Sequence, residues 1–429
     1  MDVTAWLLRR IRPRPFVVTA LGGTGVRLAV EDELRRRAWQ PAPTPVAADM
    51  LVVCGPYDTE LAQALDRVWE QMPRPRVRVL LDAQDDVARS LNEGGAALAS
   101  STEGSSQAPP LADSAHPAPD PSSSHGGDSG RSHEDSGAAD ASAHSEEHGT
   151  HDRSEGASSE TADDEGGGDQ HADHEHGGHG DHSGHDMHGG GMEMPGGLPM
   201  AERAADRDGL TLDRLHVELG PVLADWPAGL RLSLALQGDV VQDAAVSVVG
   251  AAPTDTARFW TAPGLGGREL GGPSVEAAAA LDSLQRLLAV AGWPDAGATG
   301  RRLRDDLLRH GAREAWRARC RRWIRRVRRS RLLRWSTDGL GFVAPDAPEV
   351  LRGDVTARWK RRLDTIEAAV AQESAAPRPT DAGAAAQSAL DLLPSLLNGQ
   401  ELAAVRLIVA SLDPDLEALP ADGAEVGHG

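Results

Sequence analysis

Three short apolar runs near the start of the chain decide its fold: FVVTAL at Phe16–Leu21, MLVVCG at Met50–Gly55 and VRVLL at Val77–Leu81. Helical spacing of apolar residues separates them, over Val26–Trp39 and again over Thr59–Met72, where we expect Thr59 to cap the helix. Alternating strands and helices of this length favour a small parallel sheet. We therefore predict an α/β, flavodoxin-like domain over residues 1–91.

Outward from this domain, the composition changes abruptly at Asn92. The hundred residues 101–200 hold 21 acidic and two basic side chains, a net −19 in a chain whose total is −21. Such a segment, rich in Gly, Ser, Asp, Glu and His, cannot bury enough apolar surface to offset its ordering entropy. The sequence thus predicts a disordered acidic His-rich linker over 92–197, and its acidity says nothing about partners of the folded remainder.

Beyond the linker, a second region with a different pattern begins. Leu212–Leu219 and Leu230–Val249 alternate with period two, and Gln237-Gly238-Asp239 indicates a hairpin turn. Helical periodicity follows in five segments: Ser274–Trp293, Arg301–Trp335, Val355–Gln372, Ser388–Leu397 and Glu401–Leu412. We predict an α+β domain, an antiparallel β unit followed by a helical bundle, over 198–372. A short linker at 373–387 and C-terminal helices with a tail at 388–429 complete the division.

Several classes of protein are excluded by composition. No apolar run reaches the roughly 18–20 residues that span a bilayer, and residues 1–14 lack the features of a signal peptide. We therefore expect a cytoplasmic protein. The two cysteines, Cys54 and Cys320, cannot supply four local thiolates for an iron–sulfur cluster, and no redox cofactor is predicted.

Histidines within the linker form the sharpest local motif. Seven of them follow one another at spacings of two or three residues: His171, His174, His176, His179, His182, His185 and His188. Neutral imidazole suits Ni²⁺ and Zn²⁺, and an extended backbone with three residues per turn aligns such residues along one edge. The pattern predicts Ni or Zn binding, although compositional drift in a low-complexity linker would produce a similar run.

Arginine is concentrated in Arg301–Arg334, which holds 15 arginines against three acidic residues. Tryptophans lie among them, and Arg and Trp are the residues most enriched at energetically important contacts. We predict a partner-docking surface formed by Arg317, Arg321, Arg325, Arg328, Trp316 and Trp323. A solvated helix face remains an alternative, and nucleic-acid binding is the less favoured reading.

The turn Gly22-Gly23-Thr24-Gly25 follows the first strand and precedes the first helix. This position suits a phosphate-binding loop, but the full glycine fingerprint of dinucleotide-binding folds is missing, so a tight structural turn is favoured. Cys54, inside an apolar strand, is expected to be a buried small side chain.

Two stretches of the first half resemble a known family. PRPFVVTALGGTGVRLAVEDELRRRA (13–38) and AADMLVVCGPYDTELAQALDRVWEQMPRPR (47–76) are similar to the B-type subunit of respiratory complex I, which shares its fold with the small subunit of [NiFe] hydrogenases. That family holds an iron–sulfur cluster through a tandem Cys pair, a third Cys after the third strand and a fourth in a later segment. Here the corresponding positions read Gly22-Gly23-Thr24 and Asp82-Ala83-Gln84, and the linker replaces the last segment.

The second half resembles the D-type subunit of complex I, the relative of the hydrogenase large subunit. The similar stretches are LHVELGPVLADWPAGLRLSLALQGDVVQDA (215–244) and RSRLLRWSTDGLGFVAPDAPEVLRGDVTARW (329–359). The family's quinone pocket uses a loop His and a Tyr. In this chain the two loop histidines become Leu223 and Pro227, and Tyr57, the one tyrosine, lies in the other half.

The resemblance implies a fused, catalytically degenerate protein that is a structural component of a membrane-associated redox complex. Its partners would be the other proteins of a complex I- or hydrogenase-like assembly, with the chain peripheral at the inner face of the membrane. Two alternatives stay open: a nickel- or zinc-binding accessory or storage protein, and a residual quinone- or NAD-linked oxidoreductase component of an NADH:quinone oxidoreductase-type complex.

Overall fold

A computed structural model of the chain describes residues 12–100, 111, 203–205, 211–250, 259–261, 272–371 and 382–419. The described parts of both halves belong to one compact unit. The predicted linker lies outside the described residues except at residues 92–100 and Leu111.

The first half contains a three-stranded parallel sheet in the order β1-β2-β3, formed by Pro15–Thr19, Met50–Cys54 and Val77–Leu81. All five residues of β2 are buried because strands flank it and helices cover both faces. The parallel α/β architecture is confirmed. In a flavodoxin-like sheet the first strand lies between the second and third, so the central position of β2 differs from that expectation.

Three helices accompany this sheet: α1 (Thr24–Arg37), α2 (Thr59–Gln71) and α3 (Val87–Ser100). The cap of α2 is Asp58, whose carboxylate accepts a hydrogen bond from the Leu61 amide at 2.8 Å, and the prediction that Thr59 is the cap was wrong by one residue. Helix α3 corrects a second prediction, since residues 92–100 of the expected linker are helical. Leu91 anchors this helix in the core.

The second half opens with a four-stranded antiparallel sheet in the order β4-β5-β6-β7. Its strands are Arg203–Ala205, Thr211–Leu219, Leu230–Gln237 and Val240–Val248. The hairpin between β6 and β7 turns at Gly238-Asp239, with Gly238 at φ 64°, as the sequence predicts.

Helices follow the antiparallel sheet, so the α+β fold of the second half is confirmed. Their bounds are α4 (Gly272–Val290), α5 (Pro294–His310), α6 (Glu314–Arg328), α7 (Arg331–Trp335), α8 (Val355–Ala371), α9 (Ala382–Leu397) and α10 (Leu402–Leu412).

Two helix predictions in this half need correction. The continuous segment predicted over Arg301–Trp335 is divided, because Gly311 ends α5 at φ 72° and the Ser330 hydroxyl accepts from the Leu333 amide to start α7. The short linker predicted at 373–387 is too long, since α9 already begins at Ala382.

The cores of the two halves interlock. Leu21, just after β1, packs into the apolar core of the second half, while Val249, just after β7, packs into the core of the first. Gly229 permits this approach, because a Cβ there would lie 2.7 Å from Leu21 Cγ. The side chains of Arg231 and Glu60 form an ion pair between the halves.

Candidate functional site

A buried group of charged side chains lies where α1 meets α4 and α5. We call it the ion network; its members are Arg27, Glu31, Asp282, Arg286, Arg301, Arg304 and Asp305. It joins the first half to the second, because Arg27 and Glu31 lie on α1 and the others on α4 and α5.

Asp282 is the centre of the ion network. Arg27 holds both of its carboxylate oxygens, at 3.1 and 2.8 Å. Arg304 donates to its Oδ1, and Arg286 Nη1 lies 3.1 Å from its Oδ2. Burial disfavours the charged carboxylate, but the three guanidinium groups outweigh this effect and hold the pKa of Asp282 well below its ordinary value.

Glu31 is the second carboxylate of the network. Its Oε1 lies 3.0 Å from Arg27 Nη1, and its Oε2 lies 2.6 Å from Arg304 Nη2 and 3.5 Å from Arg301 Nε. Burial opposes ionisation here too, yet Arg301, Arg304 and Arg27 together lower the pKa of Glu31 to about 2. Both central carboxylates are therefore ionised at neutral pH.

A cavity of about 540 Å³ lies beside the ion network. Thr19, Thr24 and Arg27 border it from the first half. Trp226 and Pro227 border it from the β5–β6 loop. Helices α4 and α8 contribute further side chains, so the cavity lies between the two halves of the fold and has the volume of a small-molecule site.

Other residues of the chain occupy the space around the Gly22–Gly25 turn. A Cβ on Gly23 would lie 2.0 Å from the Cys54 carbonyl oxygen, and one on Gly25 would lie 2.3 Å from Gln84 Nε2. The Thr24 amide donates to Glu417 Oε1 at 3.1 Å, so a carboxylate already occupies this end of the helix. The geometry agrees with a tight structural turn.

An iron–sulfur cluster does not fit the residues present. The side-chain-free Gly23 is required by the close approach of Cys54, and the two thiols of the chain lie elsewhere, inside the core. Burial raises the pKa of Cys54 well above its ordinary value and that of Cys320 to about 12, which disfavours the thiolate that binds metals. Pro227, one of the two positions at which the resembling family carries a loop histidine, borders the cavity.

The predicted docking side chains separate into two groups. Trp316 and Trp323 are core residues, exposed by 2% and 3%, and their indole N–H groups donate to the carbonyls of Leu303 and Ala296. Their assignment to a docking surface was wrong, because the spacing of Trp316, Cys320 and Trp323 places them on the inward face of α6.

The predicted arginines lie on the other faces of α6. Arg321, Arg325 and Arg328 are exposed, and Arg317 is half-buried. Arg328 forms ion pairs with Asp364 at 2.7 Å and Glu367 at 2.8 Å. Their role in docking stays a prediction. The seven predicted histidines lie outside the described residues, within which no group of three metal-ligating side chains is found.

Sequence reasoning missed the exposed apolar residues that follow α6. Leu332 is exposed by 72% and Trp335 by 80%; three residues apart, they share one face of α7. Phe342 is exposed by 65% shortly afterwards. The ion network was also missed, since no local pattern links residues from such distant parts of the chain.

Comparison with protein families and with curated proteins finds no match. Among solved structures, the chain is similar to one described as the membrane-bound sulfane sulfur reductase (MBS), an archaeal respiratory membrane complex. The sequences are 13% identical, the match covers 48% of this chain and 98% of that chain, and the TM-score is 0.31. No described helix is both long and apolar enough to cross a bilayer.

Proposed function

We propose that this protein is a structural component of a membrane-associated redox complex, a fused subunit that keeps the interface of its two halves and carries no redox centre of its own. The observation that carries the proposal is the pairing of Arg27 with Asp282 across the two halves. The halves are the same two segments that resemble the B-type and D-type proteins of complex I, and the ion network joins them.

The surface available for partners supports this proposal. We define the docking face as Arg321, Arg325, Arg328, Leu332 and Trp335. Exposed Trp beside Arg is the combination that dominates contact energy at protein interfaces. A depression of about 350 Å³ between α5 and α6 is lined by Arg302, Arg319, Arg322 and Arg326 together with Leu303 and Trp323. This face fits a partner protein that presents carboxylates around an apolar patch, and the chain would then lie peripherally at the membrane.

Affinity purification of the tagged full chain from its native host tests the proposal. We expect recovery together with membrane-spanning proteins and an oxidoreductase. A Trp335→Ser, Arg328→Glu double variant should lose them, whereas Arg406→Glu, an exposed substitution on α10, should retain them. Recovery of the wild-type chain alone from detergent-solubilised membranes and cytosol would contradict the proposal.

A second proposed function, favoured by the histidine spacing, is nickel or zinc storage. Titration calorimetry should detect Ni²⁺ or Zn²⁺ binding that is lost when the seven histidines from His171 to His188 are all replaced by Gln. Activity of a partner metalloenzyme that is unchanged by this replacement under metal limitation would exclude a role in metal supply.

The residual oxidoreductase alternative requires NADH-dependent quinone reduction by the purified chain, and the structural proposal predicts none.

A further inference from the structure

Helix α8 presents three arginines to the cavity between the halves: Arg358, Arg361 and Arg362. Residues three and four positions apart lie on one helix face, so the three guanidinium groups are concentrated on one side of the cavity. None of them forms an ion pair with a carboxylate in the part of the chain that the structure describes.

Arg358 is the most buried of the three, exposed by only 1%. It donates to the carbonyls of Gly341 at 2.9 Å, Leu351 at 3.1 Å and Gly353 at 2.6 Å, and to Ser411 Oγ at 2.9 Å. All four acceptors are neutral, and its Nη2 has no hydrogen-bond partner among the described residues. The guanidinium group is therefore held in place by neutral acceptors, with no carboxylate of the described residues in ion-pair contact.

Arg362 and Arg361 repeat this arrangement. Arg362 Nη2 donates to the Leu412 carbonyl at 3.3 Å, while its buried Nη1 has no partner in the described chain. Arg361 donates to the carbonyls of Val350 and Arg352. Burial, together with the neighbouring arginines, lowers the pKa of Arg358 to about 9 and that of Arg362 to about 10, although Asp354 and Asp413 respectively act in the opposite direction. Both arginines stay charged at neutral pH.

Seven acidic residues of the described chain border the same cavity, and four of them contact groups other than these three arginines. The Glu417 carboxylate accepts from the Thr24 amide at 3.1 Å. Asp282 is held by three guanidinium groups of the ion network, and Asp413 receives both its hydrogen bonds from Arg286, at 2.7 and 2.9 Å. Asp364 pairs with Arg328 at 2.7 Å. Burying positive charge without a counter-ion is costly, and an anion in the cavity would remove that cost.

The cavity also has an apolar wall beside its charged and hydroxyl side chains. It includes Trp226, Trp260, Ala280, Ala386 and Leu416. The Trp226 indole N–H is already bonded to the Leu230 carbonyl at 2.8 Å, so its ring offers an apolar surface. We propose that the cavity binds an organic anion whose carboxylate or phosphate group contacts Arg358 and Arg362 and whose apolar body packs against this wall.

Titration calorimetry on the full chain tests the proposal with four probes: octanoate, octyl phosphate, octanol and inorganic phosphate. We expect saturable binding of at least one of the two amphipathic anions. Octanol, which lacks the charge, and inorganic phosphate, which lacks the apolar body, should each bind at least tenfold more weakly. Octanoate and octyl phosphate separate carboxylate from phosphate recognition.

Variants locate the site. Arg362→Gln should weaken binding of the anion at least tenfold, equivalent to about 1.4 kcal/mol, while Arg406→Gln, an exposed arginine outside the cavity lining, should leave it unchanged. Arg358→Gln risks misfolding because Arg358 ties four segments together, so the decisive variant is Arg362→Gln, checked by circular dichroism. Absence of saturable anion binding, equal affinity for octanol or inorganic phosphate, or equal affinity in folded Arg362→Gln would overturn the proposal.

Discussion

Replacing Asp282 by Asn tests whether the ion network holds the two halves together. Asp282 contacts Arg27, Arg286 and Arg304 with a side chain that is only 2% exposed. The substitution keeps the volume but leaves three guanidinium groups facing a neutral amide. Removing one partner from a buried ionic group costs about 3–5 kcal/mol, so we expect the free energy of unfolding to fall by about that amount.

Urea unfolding followed by tryptophan fluorescence measures this loss. The matched control is Asp364→Asn, which also breaks an Asp–Arg pair, but at a side chain that is 65% exposed. Exposed pairs contribute about 0–1 kcal/mol, so this variant should unfold close to wild type. Equal losses of stability in the two variants, or a loss of less than about 1 kcal/mol in Asp282→Asn, would show that the ion network does not stabilise the fold.

Three further predictions concern buried side chains. Stability should decrease as the pH falls from the ordinary Glu pKa of 4.5 towards 2, because Glu31 has a lowered pKa in the folded state and its contribution is lost on protonation. The midpoint of urea unfolding, measured across this pH range, should fall less in Glu31→Gln than in the wild-type chain. Cys54 and Cys320, both buried with raised pKa values, should react with iodoacetamide at pH 8 only in denaturant, as mass spectrometry would show. Trp316→Phe should lower the free energy of unfolding by up to about 3 kcal/mol, and by clearly more than Trp335→Ser, since only Trp316 is buried and bonded to a core carbonyl. Thermal denaturation of both variants measures this difference, and a larger loss in Trp335→Ser would contradict the buried position of Trp316.

Local pattern predicted the strands well, for a physical reason. Burial of β2 on both faces requires a continuous apolar run, which Met50–Cys54 displays, and the β6–β7 hairpin requires a residue with positive φ, which Gly238 supplies. Helix α3 was missed because its glycines read as linker composition. Gly94 is in fact needed for packing, since a Cβ there would lie 2.7 Å from Val79 Cγ2.

Contacts between distant parts of the chain could not be predicted in this way. Arg27 and Asp282 are 255 residues apart, and neither residue stands out from an arginine- and aspartate-rich sequence. The same limit explains Trp316, which reads as a docking residue among arginines until the packing of α6 against α5 shows which face is buried. Periodicity identifies a face, whereas tertiary packing decides which neighbour covers it.

The proposed function requires that the two joined halves carry no redox centre. Iron and acid-labile sulfide determination, with electron paramagnetic resonance on anaerobically purified protein, tests it most directly. We expect less than about a tenth of an equivalent of iron and no cluster signal, because two buried cysteines cannot hold a four-thiolate cluster. A stoichiometric iron–sulfur signal assigned to this chain would contradict it.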